Sequence, residues 1–212
     1  MMNGITEDHQ FKTRSGWKYF HEIELEKDEL YCWEMTPKTG GFLNKSYIEN
    51  TTTFKNTCRG FLKPIKKEFH LSYTHELYHI KNKYIDSIMT PNHKCPAALL
   101  ETDNYKEQYV ELQPAREIYE NVNKCWDIAT EDDDSEYDDY QSMFGVTEYF
   151  TKSPILFNLE NKWNSLFYKL MPADFKVIIK DSSIVSFTMS ETPSINENML
   201  IYARRNGTEF WI

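Results

Sequence analysis

The apolar positions change period along the chain. Near the start, "WKYFHEIEL" and "ELYCWEM" are rich in aromatic and β-branched residues with partial alternation. They flank Lys27-Asp28 as the arms of a β-hairpin do. The polar stretch before them, residues 1–15, carries Asn3-Gly4 and reads as a loose amino-terminal segment. Further on the spacing turns helical. Phe69, Tyr73, Leu77, Ile80, Tyr84 and Ile88 share a stripe roughly 100° wide on a helical wheel, bracketed by Pro64 and Pro91. Ala115, Ile118, Tyr119, Val122 and Trp126 keep the same spacing, with Pro114 either starting that helix or kinking a longer one. In "SPILFNLENKWNSLFYKLMP", Ser153 reads as an N-cap, Pro154 as the first helical residue and Pro172 as the stop. Leu156, Leu159, Trp163, Leu166, Phe167 and Leu170 share one side of that helix. The tail returns to strand patterns: "FKVII" and "IVSFTM" flank a Lys-Asp-Ser-Ser turn, and "MLIYARR" and "TEFWI" flank Asn206-Gly207. The order β, α, α, α, β predicts an α+β fold.

The first of these helices carries the strongest candidate chemistry. Residues His75-Glu76-Leu77-Tyr78-His79 spell H-E-x-x-H, and the wheel sets both histidines close together, nearly opposite the apolar stripe. On a helix, residues i and i+4 lie one turn apart, so His75 and His79 could share one tetrahedral zinc ion. Glu76 would then take a proton from the zinc-bound water, and the hydroxide would attack a carbonyl. A third ligand is needed. The continuation H-E-x-x-H-x-x-G-x-x-H is excluded, because Asn82 and Ile85 occupy its Gly and His positions. His93, Glu101, Glu107, Glu111 and Glu117 remain. Glu111 ranks first because a continuous helix through Pro114 would turn it toward the core with Ile118 and Val122, where a carboxylate needs a partner. Glu107 and His93 follow it.

Composition narrows the picture. The 212 residues, 40% of them hydrophobic, suffice for one domain with a real core. A net charge of −9 without a basic cluster argues against nucleic acid or an anionic membrane as partner. No apolar run approaches the ~18 residues that span a bilayer, and the polar start lacks a signal-peptide core. A cytoplasmic location, or delivery into a host cell without a recognisable signal peptide, is the expectation. The four cysteines, Cys32, Cys58, Cys95 and Cys125, form no C-x-x-C pair and read as buried thiols. The run "TEDDDSEYDDY" lacks the Gly and distal Glu of a calcium loop and reads as a solvated acidic loop at about 130–140. His9 and His21 stand without evident partners, and His70 reads as a residue near the site.

"HELYHI" resembles the active-site helix of the zincin metallopeptidases. With Glu111 downstream the chain is similar to a gluzincin, and "HELYH" followed by "VELQPAREIYEN" resembles small effector and toxin-associated metallopeptidases of bacterial pathogens. His93 in "TPNHKCPAALLE" resembles the third ligand of SprT-like proteases. The resemblance implies a single zincin-like catalytic domain over residues 16–212, with β-hairpins flanking the active-site helix. It also implies a zinc cofactor, a protein or peptide substrate, Glu76 as the base, and His75, His79 and Glu111 as ligands. The alternatives are a protein-interaction module without activity and a zinc hydrolase of a non-peptide amide or ester.

Overall fold

The computed structural model describes residues 3–34, 59–99, 111–131, 154–157 and 167–212. Within them the chain is mostly antiparallel strands; the helix expected after Pro114 forms, while the stretch expected as the motif-bearing helix does not. One sheet holds β1 (Ile5–Thr6), β6 (Lys66–Tyr73), β7 (Glu76–Lys81), β8 (Asp86–Met89), β13 (Phe175–Ile179) and β14 (Ser182–Thr188), in the order β13-β7-β8-β1-β14-β6. A second contains β2 (Gln10–Thr13), β3 (Gly16–Tyr19), β4 (Leu30–Glu34), β5 (Arg59–Leu62), β15 (Met199–Arg205) and β16 (Thr208–Trp211). A third runs β10-β9-β11-β12, from β9 (Lys94–Leu99), β10 (Glu111–Pro114), β11 (Pro154–Phe157) and β12 (Phe167–Lys169). Helix α1 (Ala115–Glu131) leaves the end of β10 and buries Ala115, Ile118 and Val122. A short helix, α2 (Pro193–Glu197), precedes β15.

The expected α+β fold is therefore corrected to a mostly β one. The segment predicted as the motif-bearing helix is three strands, β6 to β8. Its apolar spacing misleads because the middle of the first sheet is buried on both faces. Leu77 and Ile88 join Ile184 on one side, while Tyr78, Ile80 and Met89 enter the main core on the other. All four residues of β8 are buried, so no period of two survives, and a run buried on both faces cannot be told from a helix by spacing alone. The turn between β7 and β8 does have a local cause: the Asn82 carboxamide oxygen accepts the amides of Tyr84 and Ile85, at 2.8 and 3.1 Å.

Two further expectations change. Pro154–Phe157 and Phe167–Lys169 pair as strands, with Leu156 opposite Tyr168, where a third helix was predicted. The amino-terminal hairpin arms do not pair with each other; β2 lies beside both β3 and β4. Likewise β13 pairs with β7, and β14 with β1 and β6. The Asn206-Gly207 hairpin forms as the sequence predicts, with Arg205 opposite Thr208 and positive φ at both turn residues, 49° and 80°. Strands β1 and β2 lie inside the stretch whose polarity suggests a loose start. Apart from Thr130 and Glu131, which end α1, the acidic run lies outside the described residues.

Candidate functional site

Strands β1 and β8 are antiparallel neighbours, with Ile5 opposite Met89. Each leads into a four-residue turn of the same spelling: Thr6-Glu7-Asp8-His9 after β1, and Thr90-Pro91-Asn92-His93 after β8. In each the histidine amide donates to the threonine carbonyl, at 3.4 and 3.0 Å. Each threonine hydroxyl also reaches a carbonyl across the strand pair: Thr6 to Ile88 at 3.5 Å, Thr90 to Gly4 at 3.2 Å. The two turns thus grip each other's strands about a local two-fold axis.

Their surroundings differ. His9 is wholly buried. Its Nδ1 donates to the Thr6 carbonyl at 2.8 Å, and its Nε2 shares a hydrogen bond with Ser87 Oγ at 2.9 Å. Ser87 is buried too, which seals this pair from solvent. Around it runs an ionic network. The Thr6 hydroxyl donates to Asp8 at 2.5 Å, Arg205 bridges Asp8 and the buried Asp86, and Asn206 donates to Asp86 at 3.0 Å. His79 joins the same carboxylate through Nε2, at 2.8 Å. These partners hold Asp86 below the usual carboxylate range against the opposing effect of burial.

The second turn faces a cavity of about 760 Å³, whose lining includes Asn3, Glu68, His70, His93, Lys94 and Ile212. Thr90 clamps the backbone of Gly4. The Gly4 amide donates to Thr90 Oγ1 at 3.0 Å, and the Thr90 amide donates to the Gly4 carbonyl at 3.0 Å. His93 Nδ1 lies 3.1 Å from the Asn3 carboxamide oxygen, while its Nε2 is sealed without a partner among the described residues. An amide oxygen only accepts, so Nδ1 carries a proton and donates it. Burial, aided by the nearby His9, pushes this imidazole down to about 3. Helix α1 fixes the turn from behind: Ala115 and Arg116 donate their amides to the carbonyls of His93 and Pro91, at 2.9 and 3.0 Å. Gly4 is required where it stands, since an added Cβ would lie 2.6 Å from both Ile184 Cγ2 and the Val185 carbonyl oxygen.

No family model matches the chain, and no curated protein does. Among solved structures it is similar to a split intein titled "AceL NrdHF class 3", a GSH-linked, splice-inactive variant. That likeness has a TM-score of 0.50 at 12% identity and covers 98% of this chain and 95% of that one. The fold is intein-like. A bacterial intein-like domain from Clostridium thermocellum also aligns, over 100% of both chains, at 9% identity and a TM-score of 0.48.

The intein-like fold overturns the zincin resemblance and the metallopeptidase reading built on it. His75 is exposed in the turn before β7, its ring against Tyr73, and His79 lies within β7 bound to Asp86. Four residues of extended chain span about 13 Å, against the single turn that would bring two imidazoles to one ion. Glu76 opens β7 opposite Ile179, exposed, and Glu111 sits on β10 opposite Ala97. Among the described residues no three His, Cys, Asp or Glu side chains converge as a metal site. Glu101 and Glu107 lie outside the described residues. Among the described residues of the ligand shortlist, His93 alone lines the cavity. The spelling T-x-x-H, occurring twice, was the signal that reading the chain for single motifs passes over.

Proposed function

We propose that the chain is a self-processing domain that breaks its own backbone at the Asn3–Gly4 peptide bond. The observation that carries this reading is the contact between the Gly4 amide and the Thr90 hydroxyl, with His93 beside Asn3. The likeness in fold to a split intein supports it. Scission requires attack on the Asn3 carbonyl carbon and protonation of the departing Gly4 nitrogen. The Thr90 hydroxyl, 3.0 Å from that nitrogen, is placed to supply the proton. His93 anchors the Asn3 side chain and, its pKa lowered by burial of the ring, stays neutral.

The attacking group is not a side chain of residue 4, which has none and no room for one. Nor is it Cys32 or Cys95, whose burial pushes both thiols up to about 12 and leaves them protonated. Asn3 is exposed, so water or an added nucleophile reaches its carbonyl. The test is a full-length chain with a folded reporter ahead of Met1, followed by mass spectrometry with and without hydroxylamine. A fragment beginning at Gly4, lost in Thr90→Val and His93→Ala, is expected. Absence of any such fragment from the folded protein overturns the reading.

A further inference from the structure

The sequence contains two Asn-Gly pairs, Asn3-Gly4 and Asn206-Gly207. In such a pair the glycine nitrogen can attack the preceding carboxamide carbon, because no Cβ crowds the five-membered ring that forms. Three things promote the attack: an acceptor for the glycine N–H proton, a donor for the oxygen that gains charge, and access for water. Asn3 has all three. The Gly4 amide proton points at Thr90 Oγ1, His93 Nδ1–H points at the Asn3 carboxamide oxygen, and Asn3 is exposed. Asn206 is exposed as well, but its hydrogen bonds run the other way. Its carboxamide nitrogen donates to Asp86, which anchors the group that would leave, and the residue sits inside a closed hairpin turn.

We propose that Asn3 is a site of self-modification, converted through a cyclic imide to aspartate and isoaspartate. The Gly4 nitrogen bonds to Asn3 Cγ, and the Cγ–Nδ2 bond breaks. Ammonia leaves with the proton that passes from Gly4 by way of the Thr90 hydroxyl. Water then opens the imide at either carbonyl. The step rests on reading the Thr90–His93 turn as the reactive centre, and it is a second exit from the same activated peptide unit. The isoaspartyl product has one more carbon in its backbone and a free α-carboxylate in place of the original peptide carbonyl, so it no longer presents the bond that scission requires.

The experiment is incubation of the full-length chain at neutral pH, digestion, and mass spectrometry of the peptides containing residues 3 and 206, with isoaspartate scored by enzymatic methylation. Asn3 is expected to convert at least roughly tenfold faster than Asn206, a barrier difference near 1.4 kcal/mol. Its rate falls by a similar factor in Thr90→Val and His93→Gln. Equal rates at the two asparagines overturn the proposal, as does an Asn3 rate unchanged in either folded variant. Should the variants not fold, the unaltered chain decides: conversion of Asn3 faster in the native state than in denaturant supports the proposal, and slower conversion overturns it. A fragment beginning at Gly4 reports scission, and conversion of residue 3 in the uncut chain reports this step, so the failure of one is distinguished from failure of the other.

Discussion

Thr90 holds Gly4 from both sides: its hydroxyl accepts the Gly4 amide and its own amide donates to the Gly4 carbonyl, each at 3.0 Å. Thr90→Val keeps the shape of the side chain but leaves the Gly4 amide without its acceptor. The expected loss is about 1–3 kcal/mol, the cost of an unsatisfied backbone donor. Thr90→Ser retains the hydroxyl and should recover most of it. Urea unfolding of the three proteins measures the difference.

Gly4→Ala tests the crowding at the same residue. A methyl group there meets Ile184 Cγ2 and the Val185 carbonyl oxygen at 2.6 Å, and the latter belongs to the backbone of β14 and cannot swing away. Overpacking of this kind costs about 1–3 kcal/mol. A thermal midpoint equal to that of the unaltered protein counts against the close approach of β1 and β14.

Asp86 is buried and has three partners on separate elements: His79, Arg205 and Asn206. Asp86→Ala should cost about 3 kcal/mol or more, since among the described residues it leaves the largely buried Arg205 with Asp8 as its one carboxylate. The same carboxylate makes stability depend on pH. Its folded pKa is lowered, so its contribution is present above its ordinary value of 3.8 and is lost as pH falls through the folded value. Acid titrations followed by circular dichroism should show that loss in the unaltered protein and a flatter profile in Asp86→Asn.

His93 acts in a higher pH window. Its pKa falls from 6.5 to about 3 on folding, so between these values the unfolded chain binds the extra proton. Stability contributed by the neutral ring is full above 6.5 and declines as pH drops toward 3. Unfolding free energies from pH 7 to 4 should decline more steeply in the unaltered protein than in His93→Gln.

His75 supplies the contrast. It is exposed, with its ring against Tyr73, so His75→Ala should change stability by no more than about 0.5 kcal/mol. Added zinc is expected to leave the thermal midpoint where it was in both proteins. A zinc-dependent rise abolished by His75→Ala would restore the metal reading of the H-E-x-x-H string.

What could be read from the sequence follows from how each element is buried. Helix α1 and the Asn206-Gly207 hairpin were legible because each is governed locally, by a one-sided apolar stripe after a proline and by a turn that needs two positive φ angles. Strands β7 and β8 were not. Leu77 and Tyr78 point to opposite cores, which erases the alternation that marks a strand and leaves a helical spacing by coincidence. Asn82, whose side chain builds the intervening turn, was the local sign that the run is broken. The candidate site was partly visible, since His93 stood among the residues weighed. Gly4 lies 86 residues from Thr90 and Asn3 90 residues from His93 along the chain, and the pairing of β1 with β8 brings them together.

The mutual grip of the two T-x-x-H turns also sets how the molecule bears load. Tension applied ahead of Asn3 is taken first by its contact with His93 and next by the Thr90 bonds to Gly4, and β1 then shares it with β8 and β14 on either side. The peptide unit proposed to react is therefore the one most exposed to a pull from upstream polypeptide. A tethered cargo would draw Asn3 away from His93 before it disturbed the core, which makes reaction at this bond sensitive to mechanical force.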